Sequence, residues 1–160
     1  MTNFIIGADH AGFDLKEAVK SFLINVGWVV ADVGTCDHSP VDYPDLGAQV
    51  ASRVSTGEFS RGLLICGSGV GMSIIANKFP GIRAVLAFDE ELAILSRKHN
   101  DTNILVLAGR CTDEKKALAI LRAWLETAFE GERHQVRLDK IRKWEQILCR
   151  KNNGTQEVGL

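Results

Sequence analysis

The stretch Leu64-Ile65-Cys66-Gly67-Ser68-Gly69-Val70-Gly71 decides how this chain folds. The apolar run Gly62-Leu63-Leu64-Ile65 has the length and bounding of a buried strand. From Val70 to Phe79, residues Val70, Ile74, Ile75 and Phe79 fall roughly on one helical face, the pattern of an amphipathic helix. Cys66 therefore ends a strand and faces the amino end of a helix across a glycine-rich turn. Open α/β sheets bind ligands at such a place. Backbone N–H groups attract anions there, and a thiol pKa falls. The octapeptide offers a nucleophile or base beside an anion hole. Its plainer alternative is a small buried Cys in a tight strand–helix turn.

Outward from this turn, short apolar runs alternate with helical patterns along the whole chain. Phe4-Ile5-Ile6 leads through Asp9-His10-Ala11-Gly12 into a helix whose Leu15, Ala18, Val19, Phe22, Leu23 and Val26 keep i, i+3, i+4 spacing, with Gly27 at its C′ position. Trp28 to Val33 is the second strand, followed by a loop to Pro44 and a helix through Leu46, Val50 and Val54. The Cys66 turn is the third unit. Ile82 to Phe88 makes the fourth strand, and Asp89 caps a helix ending near Lys98-His99-Asn100. Asn103 to Leu107 is the fifth strand, and Thr112 is the expected cap of the helix carrying Ala117, Leu118, Leu121, Trp124, Leu125 and Ala128. Strand–helix units on short loops require right-handed crossovers. The expected fold is a single Rossmann-like three-layer α/β/α domain on a five-stranded parallel sheet, over residues 1–150. An extra C-terminal helix runs from about His134 to Arg150, and residues 151–160 read as a frayed tail. In that helix Leu138, Ile141, Trp144 and Leu148 need a surface, either a second subunit or the sheet edge.

Composition narrows the function. At 160 residues the chain is large enough for a sizeable core, and a formal charge of −1 gives no support for nucleic-acid binding. The start is too short and too soon charged for a signal peptide, and no apolar stretch approaches the ~20 residues that cross a bilayer. Cys36, Cys66, Cys111 and Cys149 are scattered, without a Cys-x-x-Cys pair or a His at zinc-ligand spacing. Neither a disulfide framework nor a structural metal is expected, and the thiols fit a reducing cytoplasm.

The polar residues gain meaning from where they fall. Asp9 and His10 follow the first strand, Tyr43 the second and Arg110 the fifth, so they share the carboxyl edge of the sheet with Cys66. His99 and Asn100 end the fourth helix at the opposite edge and could join such a site only across a dimer interface. A lone His at a helix end otherwise serves as a C-terminal cap favoured by the helix dipole. Arg133, Arg137 and Lys140 form a one-sided positive stripe, which is by itself a solvated face. Two other readings of the turn compete. Gly67-x-Gly69-x-Gly71 is one residue short of a dinucleotide fingerprint, although Asp89 stands where a ribose-binding acid would. A thiol-phosphatase loop needs an Arg where Met72 stands, and that reading fails.

Taken together, the motifs resemble the ribose-5-phosphate isomerase B family, which includes galactose-6-phosphate and allose-6-phosphate isomerases. The resemblance rests on Gly7-Ala8-Asp9-His10-Ala11-Gly12-Phe13, Asp42-Tyr43-Pro44, Cys66-Gly67-Ser68-Gly69-Val70-Gly71, Ala76-Asn77-Lys78, Gly81-Ile82-Arg83-Ala84, His99-Asn100-Asp101-Thr102-Asn103 and Gly131-Glu132-Arg133-His134, in order from Phe4 to about Arg150. It implies interconversion of aldose and ketose phosphates through an enediolate, with neither metal nor cofactor. Cys66 as thiolate would move the proton between C1 and C2. The N–H groups of Gly67, Ser68, Gly69, Val70 and Gly71 would hold the oxyanion. His99 would open the furanose as an acid at the ring oxygen. Asn100 and Arg110, with Asp9, His10 and Tyr43, would bind the sugar, and Arg133 and Arg137 the phosphate. The family pattern also implies a homodimer, or a dimer of dimers, with shared active sites, which answers the placement of His99.

Two departures stand out. Relatives that lack the Cys use a Glu at the position of Met72, so this chain follows the cysteine pattern. Asp89-Glu90-Glu91-Leu92 replaces a segment where an aromatic residue is common and is expected to line the site. Ribose 5-phosphate is the default substrate. A four-carbon or six-carbon sugar phosphate is the alternative, and a sugar-phosphate or nucleotide-binding module without turnover is a further one.

Overall fold

The computed structural model describes residues 3–154, with side chains to residue 149. By its contacts the chain divides into two compact units after Phe129. The first unit holds five strands, β1 (Asn3–Ala8), β2 (Val29–Asp32), β3 (Arg61–Cys66), β4 (Ala84–Leu86) and β5 (Ile104–Ala108). Between and after them run α1 (Phe13–Asn25), α2 (Tyr43–Ser55), α3 (Val70–Ala76), α4 (Glu90–Asn100) and α5 (Glu114–Glu126). The second unit holds α6 (Glu132–Gly154).

The five strands are parallel in the order β2-β1-β3-β5-β4. Central strands buried on both faces read as unbroken apolar runs, because each alternate side chain meets a helix layer. Phe4, Ile6, Leu63, Ile65, Leu105 and Leu107 pack with Val19 and Leu23 of α1, Ala93 of α4 and Leu121 and Trp124 of α5. Ile5, Leu64, Cys66, Ile104 and Val106 turn the other way, against Val50 and Val54 of α2 and Met72 and Ala76 of α3. Each fully buried side chain of this kind stabilises the fold by roughly 1.5–3 kcal/mol.

The strand order sets the site. After β1 and β5 the chain crosses to the face of α1 and α5, whereas after β3 it crosses to the face of α2 and α3. Loops at the carboxyl ends of adjacent strands therefore part in opposite directions, and the crevice opens over the end of β3. Cys66 is the last residue of that strand.

Several boundaries differ from the sequence reading. Helix α5 is capped by Asp113, whose carboxylate accepts the Lys116 N–H at 2.9 Å, while Thr112 is buried. Helix α3 stops at Ala76 rather than Phe79. There the Asn77 side chain takes over, donating to Ser73 O at 3.0 Å and Ala84 O at 2.9 Å and accepting the Ala84 N–H at 2.9 Å. The packed face of α3 is that of Met72 and Ala76, whereas Val70 and Ile74 are 50% and 57% exposed. Helix α6 runs on to Gly154, and the remainder of the expected tail, 155–160, lies outside the described residues. On α6, Ile141, Trp144 and Leu148 are exposed.

Near the end of β2 lies a buried lysine. Lys16 pairs with Glu17 and, at 2.5 Å, with Asp32, and Lys20 holds both carboxylates at 2.8 Å. Burial pushes the Asp32 carboxyl up, but the bonds from Lys16 and Lys20 outweigh it and hold the group below its ordinary value. The same two lysines lower Glu17.

Candidate active site

Each wall of the crevice is placed by local chemistry. Asp9 leaves β1 in extended conformation, and its Oδ1 accepts the N–H groups of Ala11 at 3.0 Å and Gly12 at 3.1 Å. That cap starts a single helical turn and turns His10 outward over the strand ends. His10 Nδ1 accepts the Val41 N–H at 3.2 Å, so the neutral ring carries its proton on Nε2 and presents a donor. Tyr43 is the first residue of α2, next to Pro44, which suits a helix start.

The glycine turn is shaped by close approach. Gly69 has φ +76°, and a Cβ there would lie 2.3 Å from Leu86 Cδ1. A Cβ at Gly71 would lie 2.5 Å from two ring carbons of Tyr43. Ser68 Oγ accepts the Val70 N–H at 3.3 Å, closing the turn into α3. The loops after β3 and β5 are joined by backbone bonds, Gly109 N to Cys66 O at 2.8 Å and Arg110 N to Gly67 O at 3.0 Å. This pairing lays the Arg110 guanidinium beside Gly67, where a Cβ would meet Nε at 3.2 Å.

The result is a cavity of about 430 Å³ lined by Asp9, His10, Ala11, Tyr43, Cys66, Gly67, Ser68, Val70, Gly71, Ile74 and Arg110. Cys66 is only 4% exposed and forms its floor. Thiol, backbone donors, an imidazole donor, a phenol and a guanidinium suit proton transfer on a polar anion. Asp9 Oδ1 and His10 Nδ1 already accept backbone N–H groups, so these two ligating atoms serve the fold.

Nine of the residues expected from sequence thus meet here: Asp9, His10, Tyr43, Cys66, Gly67, Ser68, Val70, Gly71 and Arg110. Gly69 shapes the turn from beneath. His99 and Asn100 stand at the carboxyl end of α4, the opposite edge of the sheet, as their place in sequence required. Arg133 and Arg137 lie on α6 in the second unit, where Arg133 Nε and Arg137 Nη1 each approach a ring nitrogen of His134 at 3.4 Å. They share one side of that helix.

The segment 89–92 is not among the residues that line this cavity. The Asp89 carboxylate is used as the cap of α4, accepting the Leu92 N–H at 2.7 Å, which also removes the ribose-binding acid of the dinucleotide reading. Glu90 faces a separate groove with Ile94, Leu118 and Arg122. Ala11 and Ile74 are wall residues that the sequence did not assign to the site. Ala11 was legible within its motif, but Ile74 carried only an apolar signal that pointed to the core.

Among the described residues no helix is long and apolar enough to cross a membrane. A family model described as Ribose/Galactose Isomerase matches residues 4–141. The chain is 46% identical over 146 residues to ribose-5-phosphate isomerase B of Escherichia coli, covering 91% of this chain and 98% of that protein. A solved ribose-5-phosphate isomerase B from Clostridium thermocellum superposes with a TM-score of 0.90 at 45% identity, covering 92% of this chain and 99% of that one. The Mycoplasma genitalium ribose-5-phosphate isomerase B, solved with bound ribulose-5-phosphate, superposes with a TM-score of 0.87 at 37% identity, covering 91% and 97%.

Proposed function

This chain belongs to the Ribose/Galactose Isomerase family, and we propose that it interconverts ribose 5-phosphate and ribulose 5-phosphate through an enediolate, with Cys66 as the base. It is a sugar-phosphate isomerase. The observation that carries the finer reading is the thiol of Cys66 at the floor of the cavity, directly before the turn Gly67 to Gly71 and opposite Asp9, His10, Tyr43 and Arg110. The bound ribulose-5-phosphate in the Mycoplasma genitalium relative supports a pentose phosphate as the substrate.

The reaction begins with the furanose. His99 gives a proton to the ring oxygen as the C1–O bond breaks, and the C1 hydroxyl proton leaves to water, giving the open aldehyde. The Cys66 thiolate then takes the proton from C2. The electrons of that C–H bond form C1=C2, and O1 takes the negative charge. N–H groups of the turn hold this oxyanion, where preorganised donors act most strongly in a water-poor site. The Cys66 thiol returns its proton to C1 while the O2 hydroxyl proton passes to O1, leaving the C2 ketone and the thiolate. Met72 is buried behind Cys66 in the α2–α3 layer, so the position at which some relatives carry a Glu base is here part of the core.

Residues 1–150 form the isomerase domain in this proposal, and two copies complete each other's sites. The partner's His99 and the partner's Asn100 meet Cys66 of the first subunit, Arg133 and Arg137 grip the phosphate, and Asp9, His10, Tyr43 and Arg110 hold the sugar. The test is an isomerisation assay over aldose 4-, 5- and 6-phosphates with a chelator present. Turnover of ribose 5-phosphate is the expected result. Preference for a four- or six-carbon substrate would replace the substrate, and no turnover of any would leave a binding module.

A further inference from the structure

We infer that Arg83 and Asp101 form a clamp that positions the His99–Asn100 end of α4 for ring opening, an inference that rests on the reading of His99 above. Helix α4 ends at Asn100, and the chain turns at Asp101, which sits in the left-handed region at φ 44°, ψ 48°. Aspartate is among the few side chains found there, and it persists when its surroundings hold it. The N–H groups of Asp101 and Thr102 reach back to Arg97 O at 3.1 Å and Ser96 O at 3.3 Å. The carboxylate is held from two sides, Oδ1 by Arg97 Nη1 at 2.7 Å and Oδ2 by Arg83 Nη2 at 3.0 Å.

Arg83 does more than pair. Its Nε donates to Asn100 O at 2.8 Å and Asp101 O at 2.9 Å, and its Nη2 to Asp101 O at 2.7 Å. A guanidinium fork thus closes the carbonyl end of α4, where the helix dipole favours a cation. The backbone of Arg83 is fixed in turn by Asn103, whose Oδ1 accepts its N–H at 2.8 Å and whose N–H donates to Arg83 O at 3.1 Å. On the far side, buried Arg97 lies over the Trp124 ring at 5.6 Å and donates to Thr102 O at 2.6 Å. The carbonyls of Asn100 and Asp101, directly after His99, are therefore fastened to the entry of β4, and Arg97 ties the same turn to the core. Arg83 is not among the residues lining the Cys66 cavity, so it acts as a positioning residue.

The test exploits the open chain of ribulose 5-phosphate, whose O5 carries the phosphate and cannot close a ring on C2. Exchange of its C1 hydrogen with solvent deuterium needs Cys66 and the turn but no ring opening. Arg83→Met leaves the Arg97–Asp101 pair in place, so the protein folds; thermal unfolding checks this. Its kcat from ribose 5-phosphate should fall about ten- to a hundredfold, while the exchange rate at saturating ribulose 5-phosphate, where weaker sugar binding through Asn100 no longer counts, stays within about threefold of wild type. Arg83→Lys should recover part of the loss, and Asp101→Asn should move both rates in the same directions as Arg83→Met. Equal loss in both assays, or loss in neither, overturns the clamp. His99→Asn is the reference. If it leaves the ratio of the two rates unchanged, the reading of His99 fails and the clamp falls with it. A wild-type protein that neither isomerises nor exchanges overturns the proposed function itself.

Discussion

Gly71 lies so close against Tyr43 that a Cβ at position 71 would stand 2.5 Å from Cε2 and Cζ of the ring and 2.9 Å from its hydroxyl. The first turn of α3 and the start of α2 are thus fitted to each other across the mouth of the cavity. Gly71→Ala should cost about 1–3 kcal/mol of stability, as overpacking does, and lower kcat/KM by displacing Tyr43. Tyr43→Ala in the same chain should restore the stability without restoring kcat/KM. Denaturant unfolding and kinetics on the single and double variants check the coupling. Additive stability losses would show that the two residues do not press on each other.

Cys66→Ser should lower kcat by about 10²–10⁴-fold, because a hydroxyl is far too weak a base. KM should barely change, since the turn and its donors survive. Cys66 is buried whereas Cys36, Cys111 and Cys149 are exposed, so alkylation is best followed in a chain with those three replaced by Ser. Iodoacetamide should then inactivate in step with labelling of Cys66, and a bound sugar phosphate should slow both. Normal kcat in Cys66→Ser would reduce Cys66 to a packing residue.

What sequence could reveal divides along physical lines. Strands β1, β3 and β5 were legible because burial on both faces leaves unbroken apolar runs, and their order then forced Asp9, Tyr43, Cys66 and Arg110 to one edge. The face of α3 was not, since the exposed Val70 and Ile74 that line the cavity carry the same apolar signal as core residues. Nor was Lys16, which is 1% exposed, because its partner Asp32 lies sixteen residues away and only the fold brings them together. The cap of α5 was missed by one residue, as Thr112 and Asp113 both qualify by type. Arg83 and Asp101 stood in recognisable motifs, but their joint hold on the end of α4 exists only in three dimensions.

Acid should destabilise the protein through Asp32. Its folded pKa is lowered, so its contribution is complete above the unfolded carboxylate value of about 3.9 and is lost as pH falls through the folded value. Asp32→Asn should cost roughly 1.5–3 kcal/mol at neutral pH, the range of a hydrogen bond to a charged group. It should also flatten the acid limb of the stability curve. Urea unfolding between pH 7 and pH 3 measures both, and an unchanged acid slope would remove Asp32 from the account.

Active sites shared between two copies, as proposed above, predict complementation. Mixing Cys66→Ser and His99→Asn chains, each inactive, should restore about a quarter of wild-type activity, since half the dimers are mixed and each mixed dimer has one intact site. No recovery after verified subunit exchange would put both residues in the site of one chain.

The proposed phosphate grip of Arg137 should be separable from the chemistry at Cys66. Arg137 shares one side of α6 with Arg133, both guanidinium groups meeting the His134 ring at 3.4 Å, so a dianion at this stripe would meet two forks together. A charge-assisted bond is worth roughly 1.5–3 kcal/mol, and Arg137→Ala should therefore raise KM by about ten- to a hundredfold. Binding of the remote phosphate also orients the reacting carbons, so kcat should fall as well. Arg137→Lys should recover only part, because a point charge does not reproduce a two-pronged contact. Inorganic phosphate should compete with substrate in the wild type and lose that ability in the alanine variant. Unchanged KM and unchanged phosphate inhibition would make the stripe a solvated helix face and move the phosphate site to His10 and Arg110, which line the Cys66 cavity.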